Sequence, residues 1–262
     1  MRKYVYLVWI SFQSLFEYRL NFFWRIAGTT IWTPVMYSLW VAILETGFGG
    51  DKYTPYTMGI YYIAISFATF FCQFNPHIIA MEIRRGAMSV DMLRPWSYFC
   101  KYFLLSVAEK VILFSLFVSL LFFFILGGKV AVIAEVGMLQ FLVSIILAMF
   151  MGLFLSLILG GLAFWFKRIY GFASFYNTVG GLFTGTLIPT DLLPKDLLVV
   201  SAYLPFQYTY FTPVQFLLKS VSFWEAVRIY SIQISWIILG YLLAKYIWEK
   251  GLRGYEAAEA VV

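Results

Sequence analysis

Charge is scarce in this sequence. Asp, Glu, Lys and Arg together make up 12% of its 262 residues. A soluble domain of that length could not cover its surface with so few polar groups. Histidine occurs once, as His77, and cysteine twice, as Cys72 and Cys100. A lone histidine without neighbouring Cys, His or carboxylate ligands does not make a metal site, and two cysteines so placed do not make a disulfide or metal framework. The chain has no G-x-x-x-x-G-K-[ST] run, and so no phosphate-cradling loop of its own. It has no Ser-His-Asp or paired-carboxylate arrangement at an interface, so it is expected to carry no catalytic residue, no metal and no cofactor. The apolar runs also lack the acid or histidine relays that proton-driven pumps use.

Apolar residues take the place of the missing charge. Hydrophobic residues make up 62%, aromatics 21%, and the mean hydropathy is +0.83. A span needs about 20 apolar residues to cross about 30 Å of hydrocarbon. Runs of that kind are expected over 22–44, 56–74, 103–126, 139–166, 172–188 and 223–246. The fold class is therefore an all-α, polytopic integral membrane protein with six transmembrane helices, forming one permease-like domain over 1–262. Residues 1–20 are amphipathic and suit a helix lying along the interface. Between the fifth and sixth runs, 189–221 is divided by prolines into pieces too short to cross, such as 197–200 and 214–218. These read as outer re-entrant or interfacial helices, with Pro189, Pro194 and Pro205 as candidate outer-gate positions. Ser222 and Glu225 have capping-box spacing and start the last span.

The net charge of +6 would suggest nucleic acid in a soluble protein. Here it follows from Lys and Arg gathered at cytoplasmic helix ends, and no nucleic-acid partner is expected. With the N-terminus inside, most of the basic residues, including Arg2, Lys3, Arg84, Arg85, Lys101, Lys167, Arg168 and Lys250, fall on the inner side. Lys52, Lys129, Lys195, Lys219 and Arg228 stay outside. Both termini and the 77–101 loop are thus cytoplasmic, in a multi-pass protein of the plasma or inner membrane.

Two features stand out against this background. Glu82-Ile-Arg-Arg-Gly-Ala-Met-Ser-Val-Asp-Met-Leu-Arg-Pro95 is the long polar interruption of the first half, and it contains its own punctuation. Gly86 can end a helix arriving from Pro76, and Pro95 fits the first position of a new one. Ser144, Ala148, Gly152, Ser156 and Gly160 recur every fourth residue on the fourth run, and Gly181-x-x-x-Gly185 repeats the spacing on the fifth. Small residues so spaced let another helix approach closely, either within the chain or from a second subunit.

These residues resemble the membrane subunit of a type-2 ATP-binding-cassette exporter, in the branch of small six-helix permeases encoded without their ATPase. The resemblance covers essentially the whole chain. Its most specific part is the 82–95 motif. Leu187-Ile-Pro-Thr-Asp-Leu-Leu-Pro194 with Tyr203-Leu-Pro-Phe206 is similar to the outer re-entrant pair, and Arg253-Gly-Tyr-Glu-Ala257 to the C-terminal signature. The resemblance implies a coupling loop that docks on a separate ATPase, with Glu82, Arg84, Arg85, Gly86, Asp91, Leu93, Arg94 and Pro95 as coupling residues. It also implies a second permease chain, identical or a sister protein, with membrane lipids around both. ATP and Mg would be bound by the partner ATPase. The exported substrate, a lipid, drug, peptide or glycan, and its binding residues are left open. An ion-coupled secondary transporter and a non-transporting membrane assembly subunit are the alternative readings.

Overall fold

The computed structural model describes residues 2–49, 52–92, 97–126, 135–166 and 169–259, and every regular element among them is helical. The chain opens with α1 (Arg2–Glu17) and α2 (Arg19–Glu45), followed by α3 (Pro55–Cys72), α4 (Pro76–Arg84) and α5 (Ala87–Met92). Next come α6 (Tyr98–Leu126) and α7 (Glu135–Gly161), which runs into a 3-10 turn at Leu162–Phe164. After α8 (Tyr170–Phe183), short pieces follow: a 3-10 turn at Thr190–Leu192, α9 (Lys195–Ala202), α10 (Phe206–Thr209) and α11 (Phe211–Leu218). The last helix is α12 (Phe223–Glu259).

Local chemistry sets the boundaries. Thr54 and Thr57 form a reciprocal capping box ahead of α3, with Pro55 at the first helical position. The Asn75 side chain accepts the His77 backbone N–H at 2.9 Å and Pro76 opens α4. Gly86 closes that helix at φ 78°, where a side chain would be strained. The expected cap of the last helix is present, the Glu225 N–H donating to Ser222 Oγ at 3.3 Å.

Among the described residues, four helical stretches are long and apolar enough to cross a membrane: Phe22–Glu45, Pro55–Arg84, Val136–Phe164 and Phe223–Gly254. The 29-residue α6 is comparable in length, about 43 Å. The fifth expected run departs from the sequence reading. Helix α8 has 14 residues, about 21 Å, which does not by itself cross the hydrocarbon. From Thr184 to Ile188 the chain is non-helical, because Gly185 adopts φ 84°. The Gly181-x-x-x-Gly185 pair is therefore not one face of a helix. At the other end of the chain, α12 continues well past residue 246, through 37 residues.

Helix α7 is the centre of packing. It lies against α3, α4, α11 and α12. Its small residues serve these contacts within the chain. A Cβ added to Gly152 would sit 1.9 Å from the Cys72 carbonyl oxygen, and one on Gly160 would sit 2.6 Å from the Ile79 side chain. Ala148 is fully buried, Ser156 Oγ donates to the Phe74 carbonyl at 2.9 Å, and Ser144 Oγ donates to Gln233 Oε1 at 3.1 Å. The five-residue stripe is thus filled from inside. Helix α1 packs along α6, where buried Ser11 donates to the Leu105 carbonyl at 2.7 Å and accepts from the Ala108 N–H.

Candidate functional site: the α4–α5 turn, the helix break and the re-entrant segment

At one end of the bundle, α4, Gly86 and α5 form a tight helix–turn–helix. Arg84 and Arg85 are exposed at its apex. Glu82 and Asp91 turn inward and share one cation. The Lys101 ammonium donates to Glu82 Oε2 at 2.7 Å and to Asp91 Oδ2 at 2.5 Å. The Tyr102 hydroxyl adds a 2.8 Å bond to the same Glu82 oxygen. Lys101 is 8% exposed, so these charges sit largely out of water and hold one another in place. The two acids of the polar stretch thus face the start of α6, while Arg84 and Arg85 face outward. Leu93, Arg94 and Pro95 lie outside the described residues. Lys101 falls only six residues beyond Pro95, and in the sequence it is one more member of the inner-side excess of Lys and Arg.

One level deeper, the second transmembrane run is broken between α3 and α4. Three carbonyls freed by the break are satisfied by side chains. Lys110 Nζ donates to the carbonyls of Phe70 at 3.1 Å and Gln73 at 2.7 Å, and Ser156 takes that of Phe74. The ammonium also lies 4.4 Å from the centre of the Phe74 ring. A buried cation at a helix C-terminus complements both the unpaired carbonyls and the helix dipole. Beside the break is a cavity of about 190 Å³. Gln73, Asn75 and His77 line it from the break, Tyr176 and Asn177 from α8, and Tyr210 from the α10–α11 junction. His77 also stands 5.7 Å, ring to ring, from Tyr170.

At the opposite end, the non-helical 184–189 segment and the 3-10 turn that follows it are clasped by aromatic donors. The Tyr61 hydroxyl donates to the Gly185 carbonyl at 2.6 Å. The Tyr62 hydroxyl and Trp40 Nε1 both reach the Leu187 carbonyl at 3.1 Å. The Tyr53 hydroxyl donates to Asp191 Oδ1 at 2.9 Å, and Lys219 pairs with Asp191 Oδ2 at 3.1 Å. Burial first, and then the Asp191 carboxylate, raise the Tyr53 phenol above its ordinary range, so it stays a donor. Pro189, Pro194 and Pro205 each stand immediately before one of the short helical pieces, a position that needs no backbone N–H from proline.

The tip of this segment is fixed by a residue that periodicity did not single out. Gln233 on α12 is fully buried, and its amide donates to the Tyr208 carbonyl at 2.9 Å and to the Ser144 carbonyl at 3.2 Å. Gln233 lies ten residues into α12, about 15 Å along its axis, so the α10 end of the α9–α11 segment meets α12 well inside that helix and not at its first turn.

A helical body with several apolar helices long enough to cross a membrane, a broken second run and a short polar helix–turn–helix at one end places the chain among polytopic membrane proteins. The sequence profile described as ABC-2 family transporter protein matches residues 31–259. The chain belongs to that family, as a multi-pass permease component of the membrane. No curated protein and no solved structure matches the chain.

Proposed function

We propose that this protein is the transmembrane subunit of an ATP-driven exporter, working with a second permease chain and with separate ATPase subunits that bind ATP and Mg. The observation that carries this reading is the way the α4–α5 turn is built. Its arginines face outward while its acids are bound to α6 through Lys101. A headgroup anchor needs only exposed basic charge, worth about 1 kcal/mol per residue near an anionic surface. A turn that transmits force must instead be stiff and bonded to the spans behind it. Arg84, Arg85 and the neighbouring surface dock on the ATPase in this reading, and Gly86 sets the angle of the turn.

ATPase closure pushes on α4 and α5. The push enters α6 through Lys101 and α3 through the carbonyls that Lys110 holds, and it reaches the α9–α11 segment through α7. That segment then opens or closes the outward path between two permease chains. Membrane lipids fill the exposed apolar faces of α2 and α12.

The test is co-purification of an ATPase with the tagged protein from native membranes, followed by reconstitution. The expected result is a stoichiometric complex whose Mg-ATP hydrolysis falls when Arg84 and Arg85 are both changed to Glu, with the permease still inserted. An unchanged complex with unchanged hydrolysis would return the loop to headgroup anchoring.

A further inference from the structure

We propose that the cavity beside the helix break is a binding site for an uncharged, hydroxyl-rich group, such as a single sugar ring. Its volume, about 190 Å³, is below the roughly 300–1,000 Å³ of sites for drug-sized molecules, so it takes one small group and not a whole drug. Its wall combines amides with aromatic hydroxyls. Gln73, Asn75 and Asn177 each offer both a carbonyl oxygen and an NH2, and Tyr176 and Tyr210 each offer a hydroxyl. Groups that both donate and accept match a ligand whose hydroxyls do the same. Tyr176 and Tyr210 are half-buried, and among the described residues no hydrogen bond is made by either hydroxyl. Both hydroxyls are therefore open to a ligand hydroxyl.

The electrostatics select against ions. Among the described residues no Asp, Glu, Lys or Arg lines the cavity. A cation seeking the aromatic wall meets the Lys110 ammonium, which already occupies the Phe74 ring at 4.4 Å. An anion finds no cationic side chain among the described wall residues, since Lys110 is turned to the Phe70 and Gln73 carbonyls. Position adds the remaining argument. Asn177 is seven residues from the start of α8, about 10 Å along the axis, and Ser156 is five residues from the end of α7. The cavity therefore sits at the depth of the inner leaflet. Its ceiling is Tyr210, at the foot of the segment that Gln233 holds. A sugar there is either the headgroup of an inner-leaflet glycolipid or a soluble sugar entering from the cytoplasm. That it is cargo rests on the export reading above; that it binds does not.

The experiment uses the full-length protein in phosphatidylcholine nanodiscs, without any ATPase. One arm adds monoglucosyl diacylglycerol, a second phosphatidylglycerol, and a third free glucose. Lipid retention is read by native mass spectrometry, and glucose contact by saturation-transfer NMR. The expected result is retention of the glucolipid over phosphatidylglycerol by about tenfold, lost in Tyr176→Phe/Tyr210→Phe and in Asn177→Leu. The Phe changes remove only hydroxyls, and an unchanged unfolding midpoint shows that the fold is kept. A glucose signal with the same dependence on these residues assigns the site to a soluble sugar. Retention of both lipids alike, retention indifferent to the variants, or no sugar signal in any arm would overturn the proposal. Because no ATPase is present, such a failure leaves ATP-coupled export standing, and a loss of coupling leaves sugar binding standing.

Discussion

The Tyr61 hydroxyl and the Gly185 carbonyl meet at 2.6 Å, 124 residues apart in the chain. A Cβ on Gly185 would stand 2.6 Å from that same hydroxyl and 3.0 Å from the Phe211 side chain, on a backbone already at φ 84°. Gly185→Ala is therefore expected to lower stability by about 1–3 kcal/mol through crowding and backbone strain together. Gly171→Ala meets nothing within 4 Å and should be nearly neutral. Thermal unfolding midpoints of the two variants in one detergent make the comparison, and equal midpoints would contradict the clasp.

Lys101 is expected to be the least replaceable charge of the inner end. Lys101→Met removes the ammonium that Glu82 and Asp91 share. Breaking a buried pair costs about 3–5 kcal/mol, and the partial exposure of these carboxylates places this case at or below the lower end. Combining it with Glu82→Gln and Asp91→Asn should recover most of the loss, since no uncompensated charge then remains. A triple variant as unstable as Lys101→Met would refute the shared-cation account. By the same logic Asp91→Lys, which sets two ammonium groups together, is expected to disturb the turn itself.

Gln233→Leu removes three hydrogen bonds and leaves the Tyr208 carbonyl without its amide donor. The expected cost is about 1–3 kcal/mol. The readout is local: hydrogen exchange should rise over 206–218 while α3 and α7 stay protected. Uniform exchange across the chain would show that Gln233 merely fills space.

The orientation is tested by single cysteines at Arg84 and Lys195 in a background with Cys72 and Cys100 changed to Ser. Both positions are exposed, whereas Thr190, near the same outer turn, is 1% exposed and would report poorly. An impermeant maleimide should label the two from opposite sides of sealed vesicles. Labelling from one side would reverse the charge-based topology of at least one region.

What could be read in the sequence was carried by neighbours in the chain. Asn75-Pro76 announced a helix start, Gly86 a stop, and Ser222 with Glu225 a cap, because each acts within a few residues of itself. The small residues spaced every fourth position on α7 lie against neighbouring helices of the same chain. Gly181 and Gly185 share that spacing, but the second glycine supplies a left-handed turn. Lys110, Gln233 and Ser11 were illegible for a different reason. Their partners are carbonyls 25 to 94 residues away, exposed only where a helix breaks, ends or touches another. A composition of apolar runs does not record which carbonyls will be left open.

Helix α12 is held on one side at two points. Gln233 fixes it to the α10 end of the α9–α11 segment, and Trp248 Nε1 donates to the Leu157 carbonyl at 3.0 Å while its ring stacks on Tyr98 at 4.4 Å. The two points are 15 positions apart on a continuous helix, about 22 Å. The same helix thus ties the first turn of α6, through Tyr98, to the Tyr208 carbonyl, through Gln233, although the two lie on different parts of the chain. Neither attachment can be altered without loading the rod that carries the other.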